Sequence, residues 1–215
     1  MTYGSPVPAH AAAAALAQYP TRMRRRLQTR DRLFEAALAE FRRSGVAAAE
    51  IEDIVRVAGV ARGTFYLHFP TKDHVLMEWL RRSQRALARQ LSGPQAGGLR
   101  RFLRRAVDLM IEDARSEASS LWHELFAVIA RHATEMRSEA SAIVEVLTVS
   151  FAAAQRRGEI RSDVAPFDLT AVFLPGVYGL IQMKLDDPRP ELRTALHRVV
   201  DIFVRGVARE PKRRG

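Results

Sequence analysis

Apolar residues recur at helical spacing along most of the chain. Leu27, Leu33, Phe34, Ala37, Leu38 and Phe41 fall on one face of a helix, which the spacing predicts over about 23–43, closed by Ser44-Gly45. Two shorter apolar sets follow, Ile51, Ile54 and Val55, then Phe65 and Phe69, with Ala58-Gly59-Val60 between them. A three-residue turn between steeply crossing helices needs one residue that accepts a left-handed backbone and a small one at the crossing. Gly59 and Ala58 meet those needs, and Val60 can plug the corner. The segment 50–69 therefore reads as two short helices meeting at a tight turn, with the second over about 61–67.

Further along, Leu99, Phe102, Leu103, Ala106 and Met110 mark one amphipathic helix, and Leu121, Trp122, Leu125, Phe126 and Ile129 mark a second. Additional helices are expected at about 134–157, 166–186 and 190–208. The last two begin with Pro166 and Pro190 at the first helical position, where the missing N–H costs nothing. Pro175 should kink the helix that contains it. No stretch alternates with period two, so the chain reads as all-α. The strongest punctuation is Ser92-Gly93-Pro94-Gln95-Ala96-Gly97-Gly98, which is taken as a domain boundary. At the front, Pro6, Pro8, Pro20 and the run Ala11–Ala15 lack a docking period, so residues 1–21 read as a tail, and 211–215 as a short basic one.

Charge narrows the partner. The net charge is +10 with an isoelectric point near 11.0, which favours nucleic acid or an anionic lipid surface. Residues 1–92 hold 15 Lys/Arg against 8 Asp/Glu and residues 93–215 hold 19 against 16, so the excess lies toward the front. With no cysteine, disulfides, thiol nucleophiles and thiolate metal sites are excluded. No apolar run reaches the roughly eighteen residues of a membrane span, and no secretory pattern opens the chain, so a cytoplasmic protein without a membrane partner is expected. There is no phosphate-cradling glycine loop, nucleophile elbow or HExxH, and His132 with Glu135 does not specify a metal site. No catalytic residue, metal or cofactor is expected.

The second short helix has unusual contents for a surface helix. Arg62, Thr64, Tyr66 and His68 are hydrogen-bonding groups of graded length around Gly63, which leaves room for a close backbone approach. Such a helix can reach base edges and phosphates together. The run Ala58-Gly59-Val60-Ala61-Arg62-Gly63-Thr64-Phe65-Tyr66-Leu67-His68-Phe69-Pro70-Thr71-Lys72-Asp73 resembles the signature of the tetracycline-repressor (TetR) family of bacterial transcription regulators, with the motif resemblance spanning about 25–75. The resemblance implies that Thr64 and Leu67 face base edges and that Tyr66, His68 and Lys72 contact phosphates. Arg62 would do either, while Phe65 and Phe69 hold the helix on its domain. Lys72 also opens the next helix, where free N–H groups favour an anion. The chain departs from the family pattern at Ala49 and Glu50, which replace a usual Thr or Ser cap, at Val55 in place of a small residue, and at Ala61. The cluster Arg22, Arg24, Arg25, Arg26 reads either as a flexible arm on DNA or as an exposed charge run.

On this reading the fold is all-α. An N-terminal three-helix helix-turn-helix DNA-binding domain (22–72) and a connecting helix (73–92) precede a C-terminal helical bundle (93–210). The resemblance implies ligand sensing and dimerisation by the bundle, hence a homodimer on a palindromic double-stranded operator, released by a small-molecule effector. Candidate pocket residues are Phe102, Met110, Trp122, His123, Phe126, Met136, Phe151, Phe173, Tyr178 and Met183, a lining suited to a lipophilic or aromatic ligand. Candidate dimer-seam residues are Gly176 and Gly179, which permit close approach, with the apolar stripe Leu192, Ala195, Leu196, Val199, Ile202, Phe203 and Val207 on the last helix.

Overall fold

A computed structural model describes residues 19–93, 97–115, 119–132, 141–184 and 191–209. Nine α-helices occupy most of them: α1 Thr21–Ala48, α2 Ile51–Ala58, α3 Arg62–His68, α4 Lys72–Leu91, α5 Gly98–Ala114, α6 Ser119–Arg131, α7 Ala142–Arg156, α8 Pro166–Lys184 and α9 Glu191–Gly206. The only β pairing among the described residues is an isolated bridge between Ile160 and Ala208.

Packing divides the chain into two compact units, one of residues 1–80 and 116–133 and the other of 81–115 and 134–215. The division does not fall at the Ser92–Gly98 punctuation. It passes through α4, and α6, which the sequence groups with the C-terminal bundle, packs in the first unit instead. The reason is the face α6 offers: Leu121, Trp122, Leu125 and Val128 are buried, and Trp122 meets Trp79 edge to face at 5.5 Å.

In the first unit, α1 buries Leu33, Phe34, Ala37, Leu38 and Phe41, the predicted stripe. The helix breaks at Gly45, whose φ of 79° and ψ of 158° are not helical, and then makes one more turn to Ala48. The Glu124 carboxylate on α6 accepts the Val46 N–H at 3.0 Å, satisfying a donor freed by that break. α2 buries Ile54, Val55 and Ala58 and ends on Gly59 in the left-handed region (φ 64°, ψ 43°). The Gly59 N–H returns to the Arg56 carbonyl and the Val60 N–H to that of Val55, closing the turn that the sequence placed here.

The second unit is built from the later part of α4 with α5, α7, α8 and α9. Leu103, Ala106, Val107, Met110, Ile143, Leu147, Val177, Ile181, Leu196 and Val200 fill its centre. Phe151, Phe173 and Phe203 form a ring cluster with centroids 5.1 to 6.2 Å apart. α5 and α9 are also tied at the surface, where Arg100 and Arg104 donate to Asp201, and His197 and Arg193 meet Asp108. The Leu99 N–H, at the start of α5, donates to the Glu159 carboxylate at 2.8 Å. α8 begins at Pro166 as expected and stays helical through Pro175, while Pro190 lies outside the described residues.

Candidate nucleic-acid interface

α3 is only seven residues long, too short to persist alone, and its position is set by its buried back. Phe65 and Phe69 are fully buried. The opposite side is open: Arg62 and Gly63 are exposed, as are Tyr66 at 43% and Leu67 at 78%, while Thr64 and His68 are half-buried. Nothing lies within 4 Å of the place a Cβ would take on Gly63, so the helix surface is recessed there. All predicted DNA-contact residues of α3 thus belong to one short helix with an apolar back and a mostly polar front.

Lys72, at the start of α4, is half-buried and has a structural task the sequence did not suggest. Its ammonium donates to the carbonyls of Ala47 at 2.9 Å and Ala49 at 3.0 Å, at the end of α1. This takes two of its three donors and leaves one for an outside acceptor. Arg30 was missed altogether. From α1 its guanidinium donates to the His68 carbonyl at 2.6 Å, pairs with Glu78 of α4 at 3.1 Å and stacks over the Phe69 ring at 4.3 Å. It therefore pins the last turn of α3 to its neighbours. The available signal was its spacing, since Arg30 stands three residues after Leu27 and four before Phe34, on the apolar stripe.

Local electrostatics are cationic around His68. Burial, then the nearby charges of Arg30 and Arg26, lower its pKa below the ordinary 6.5, so the imidazole is neutral at pH 7. Arg22, Arg25 and Arg26 are exposed on the first turns of α1, within a helix rather than on a loose arm. Arg62 forms an ion pair with Glu52 of α2, and the neighbouring Tyr66 and Glu52 hold its pKa above the usual arginine value. Neither α2 nor α3 has a side-chain cap at its start, in line with Glu50 and Ala61 standing where capping residues are usual.

Residues 33–78, which span this construction from α1 into α4, match the family model of bacterial regulatory proteins, tetR family. TtgW, an uncharacterized HTH-type transcriptional regulator of Pseudomonas putida, is 35% identical over 98 residues, covering 46% of this chain and 72% of that protein. The chain belongs to the TetR family. TtgR, an HTH-type transcriptional regulator of the same organism, is 26% identical over 166 residues, 72% of this chain and 79% of that protein. The Thermus thermophilus FadR, a TetR-family repressor solved with lauroyl-CoA, shares the fold with a TM-score of 0.68 at 24% identity, over 86% of this chain and 99% of that one. This TetR-family chain is a DNA-binding transcription regulator and not an enzyme. No helix among the described residues is long and apolar enough to cross a membrane.

The other candidate residues of this TetR-family chain are dispersed. Of the pocket set, Phe102, Met110, Phe151, Phe173 and Tyr178 lie in the second unit, whereas Trp122, His123 and Phe126 lie on α6 in the first. Trp122 is packed against Trp79 and Phe126, His123 is exposed, Met183 is 82% exposed and Met136 lies outside the described residues. An open cleft of about 370 Å³ in the second unit is lined by Arg85, Ala88, Arg89, Ser92, Ala142, Glu145 and Val146, none of them in the predicted set. Sequence reasoning also missed a polar group in that unit's interior. Ser83 donates to Asp113 at 2.5 Å and Ser141 to Gln84 at 2.9 Å, and burial and Asp113 push up the pKa of the Tyr178 hydroxyl, with Gln84 acting in the opposite sense. Burial also raises the pKa of Asp113, partly offset by the Ser83 hydrogen bond.

The seam residues divide too. Gly176 is exposed and Gly179 half-buried, with open space beside each, and Val199 is half-buried. Leu192 and Leu196 are fully buried within the chain and are not available to a partner, and Phe203 belongs to the ring cluster. Among the described residues of this unit, Ile202 of the predicted stripe is open, as are Val149 on α7 and Phe167, Val172 and Met183 on α8.

Proposed function

We propose that this regulator is a homodimeric repressor that docks α3 of each protomer in the major groove of a palindromic operator and is released by a small lipophilic or aromatic effector. The observation that carries the docking is the front of α3, where Arg62, Thr64, Tyr66 and Leu67 surround the recess at Gly63 over a back fixed by Phe65, Phe69 and Arg30. Thr64 and Leu67 read base edges, Tyr66, His68 and Lys72 contact phosphates, and Arg62 reaches either. Residues 22–72 make the DNA-binding part, and the later helices serve dimerisation and effector binding.

The open apolar positions on α8 and α9 support the dimer, since two recognition helices one DNA turn apart, about 34 Å, read a palindrome. The apolar interior of the second unit supports a lipophilic effector. Ser83, Gln84, Asp113 and Tyr178 are the polar groups there that would orient one. Release follows from population shift, since an effector that favours a different separation of the two α3 helices weakens a site requiring fixed spacing. A cytoplasmic location accords with this role.

The docking is tested by binding isotherms on duplex DNA. Tyr66→Ala should weaken binding to every sequence, and Thr64 or Leu67 substitutions should change which sequence is preferred. Unchanged affinity in Tyr66→Ala together with unchanged preference in the others would sink it.

A further inference from the structure

The ion pair between Arg62 and Glu52 joins the first residue of α3 to the first turn of α2, across the turn at Gly59. An acid in a first turn interacts favourably with the helix dipole, which accounts for Glu52 and Asp53 both being there. It does not account for their different partners. Asp53 is turned to Arg56 and Arg43 on its own side, whereas Glu52 reaches ten residues along the chain to a cation of the recognition helix. For affinity alone a carboxylate at this place is a liability, because it repels phosphate. For specificity it has a use.

Both side chains are more than half exposed, so the pair is weak and biases Arg62 rather than locking it. If Arg62 moves to a phosphate, it exchanges one anion for another and leaves Glu52 facing the DNA backbone uncompensated. If it moves to a guanine edge, its fork meets two neutral acceptors, O6 and N7, and Glu52 can remain alongside without repulsion. Selectivity of this kind comes from a penalty on the wrong contact as well as from the right one.

We propose that Glu52 is a specificity-determining residue of the DNA interface, withholding Arg62 from phosphates and yielding it to a base edge. The proposal rests on α3 being the DNA-contacting helix. The test compares wild type, Glu52→Gln, Arg62→Ala and the double variant on a random-sequence duplex pool and on the fraction of that pool selected by wild type, over a range of salt. Glu52→Gln should bind the random pool about fivefold more tightly near physiological salt, with a salt slope steeper by about one unit, as one added phosphate contact gives. The selected fraction should gain less, so discrimination falls. In the Arg62→Ala background, Glu52→Gln should give a clearly smaller gain, the part due to repulsion of phosphate by the carboxylate alone.

If Glu52→Gln leaves random-pool affinity and slope unchanged while Arg62→Ala weakens binding, α3 still docks and the role given to Glu52 is wrong. An equal gain with and without Arg62 also overturns it, because the carboxylate then acts by simple repulsion. If Arg62→Ala and Tyr66→Ala both leave binding unchanged, the docking fails and this proposal fails with it.

Discussion

Two of the surfaces left uncovered among the described residues have opposite chemistry. On α3 the open positions are Arg62, Gly63, Tyr66 and Leu67, with cationic Arg22, Arg25 and Arg26 on α1 of the same unit. On α8 and α9 they are Val172 at 69%, Met183 at 82% and Ile202 at 71%, beside glycines that leave room for close approach. The first surface suits a polyanion, whose affinity comes from charge and hydrogen bonds and falls with salt. The second suits another protein surface, whose affinity comes from excluded water. In the proposed dimer both are needed, because an apolar seam would set the distance between the two polar surfaces.

The largest effect should come from the apolar surface. Ile202→Glu is expected to convert dimer to monomer in sedimentation and to lower affinity for a two-half-site duplex by about a hundredfold or more, the loss of linked binding. Helical content should be retained, because Ile202 is exposed in the protomer. A dimer that survives this change would place the seam elsewhere.

Arg30→Ala comes next. It removes the clamp on the end of α3 and leaves Glu78, whose side chain is mostly buried, without its guanidinium. A loss of about 2 kcal/mol in chemical denaturation is expected. By contrast, Arg100→Ala at the Asp201 pair of the second unit should cost less than about 1 kcal/mol, the scale of an exposed ion pair. Equal costs would mean that the clamp is only another surface contact.

Lys72→Ala should lower DNA affinity and reduce the salt slope by about one unit. Because Lys72 also holds the Ala47 and Ala49 carbonyls, denaturation must be followed in parallel. A loss of stability with no change of slope would reduce Lys72 to its structural role.

The smallest effect concerns His68. Its pKa in the free protein is below 6.5, and a phosphate beside the imidazolium would raise it, so binding takes up protons. Affinity should therefore rise as pH falls through the interval between the two values, by no more than about tenfold per pH unit, and His68→Gln should flatten the profile. For folding the sign is opposite: the folded state disfavours the protonated form, so His68 costs stability as pH falls below 6.5 toward its lowered value. A profile that persists in His68→Gln would assign the titration to another group.

Local pattern was enough for the reading head. The stripe of α1, the left-handed Gly59 and the buried pair Phe65 and Phe69 are all properties of neighbouring residues, and the structure places them as spacing implied. What spacing could not reveal depends on distant partners. α1 resumes for a turn after Gly45, where Glu124, 78 residues away in sequence, receives the Val46 N–H. The helix at Ser119–Arg131 is legible as a helix, but its place in the first unit rests on distant partners, among them Trp79 against Trp122 and Val46 against Glu124. On α9 the apolar stripe is broad enough to face two ways, and spacing alone does not say that Leu192 and Leu196 turn inward while Ile202 turns out. The pocket candidates share a residue type, and type does not carry proximity.

The central claim is that the front of α3 reads sequence while its flanks hold the backbone. The most direct measurement is selection from a random duplex pool by wild type, by Leu67→Ala and by Tyr66→Ala, with the recovered fractions sequenced. Wild type should recover a palindrome, Leu67→Ala one altered at symmetric positions of both half-sites, and Tyr66→Ala the wild-type sequence at reduced affinity. Recovery of one unaltered sequence by all three proteins at equal affinity would contradict it.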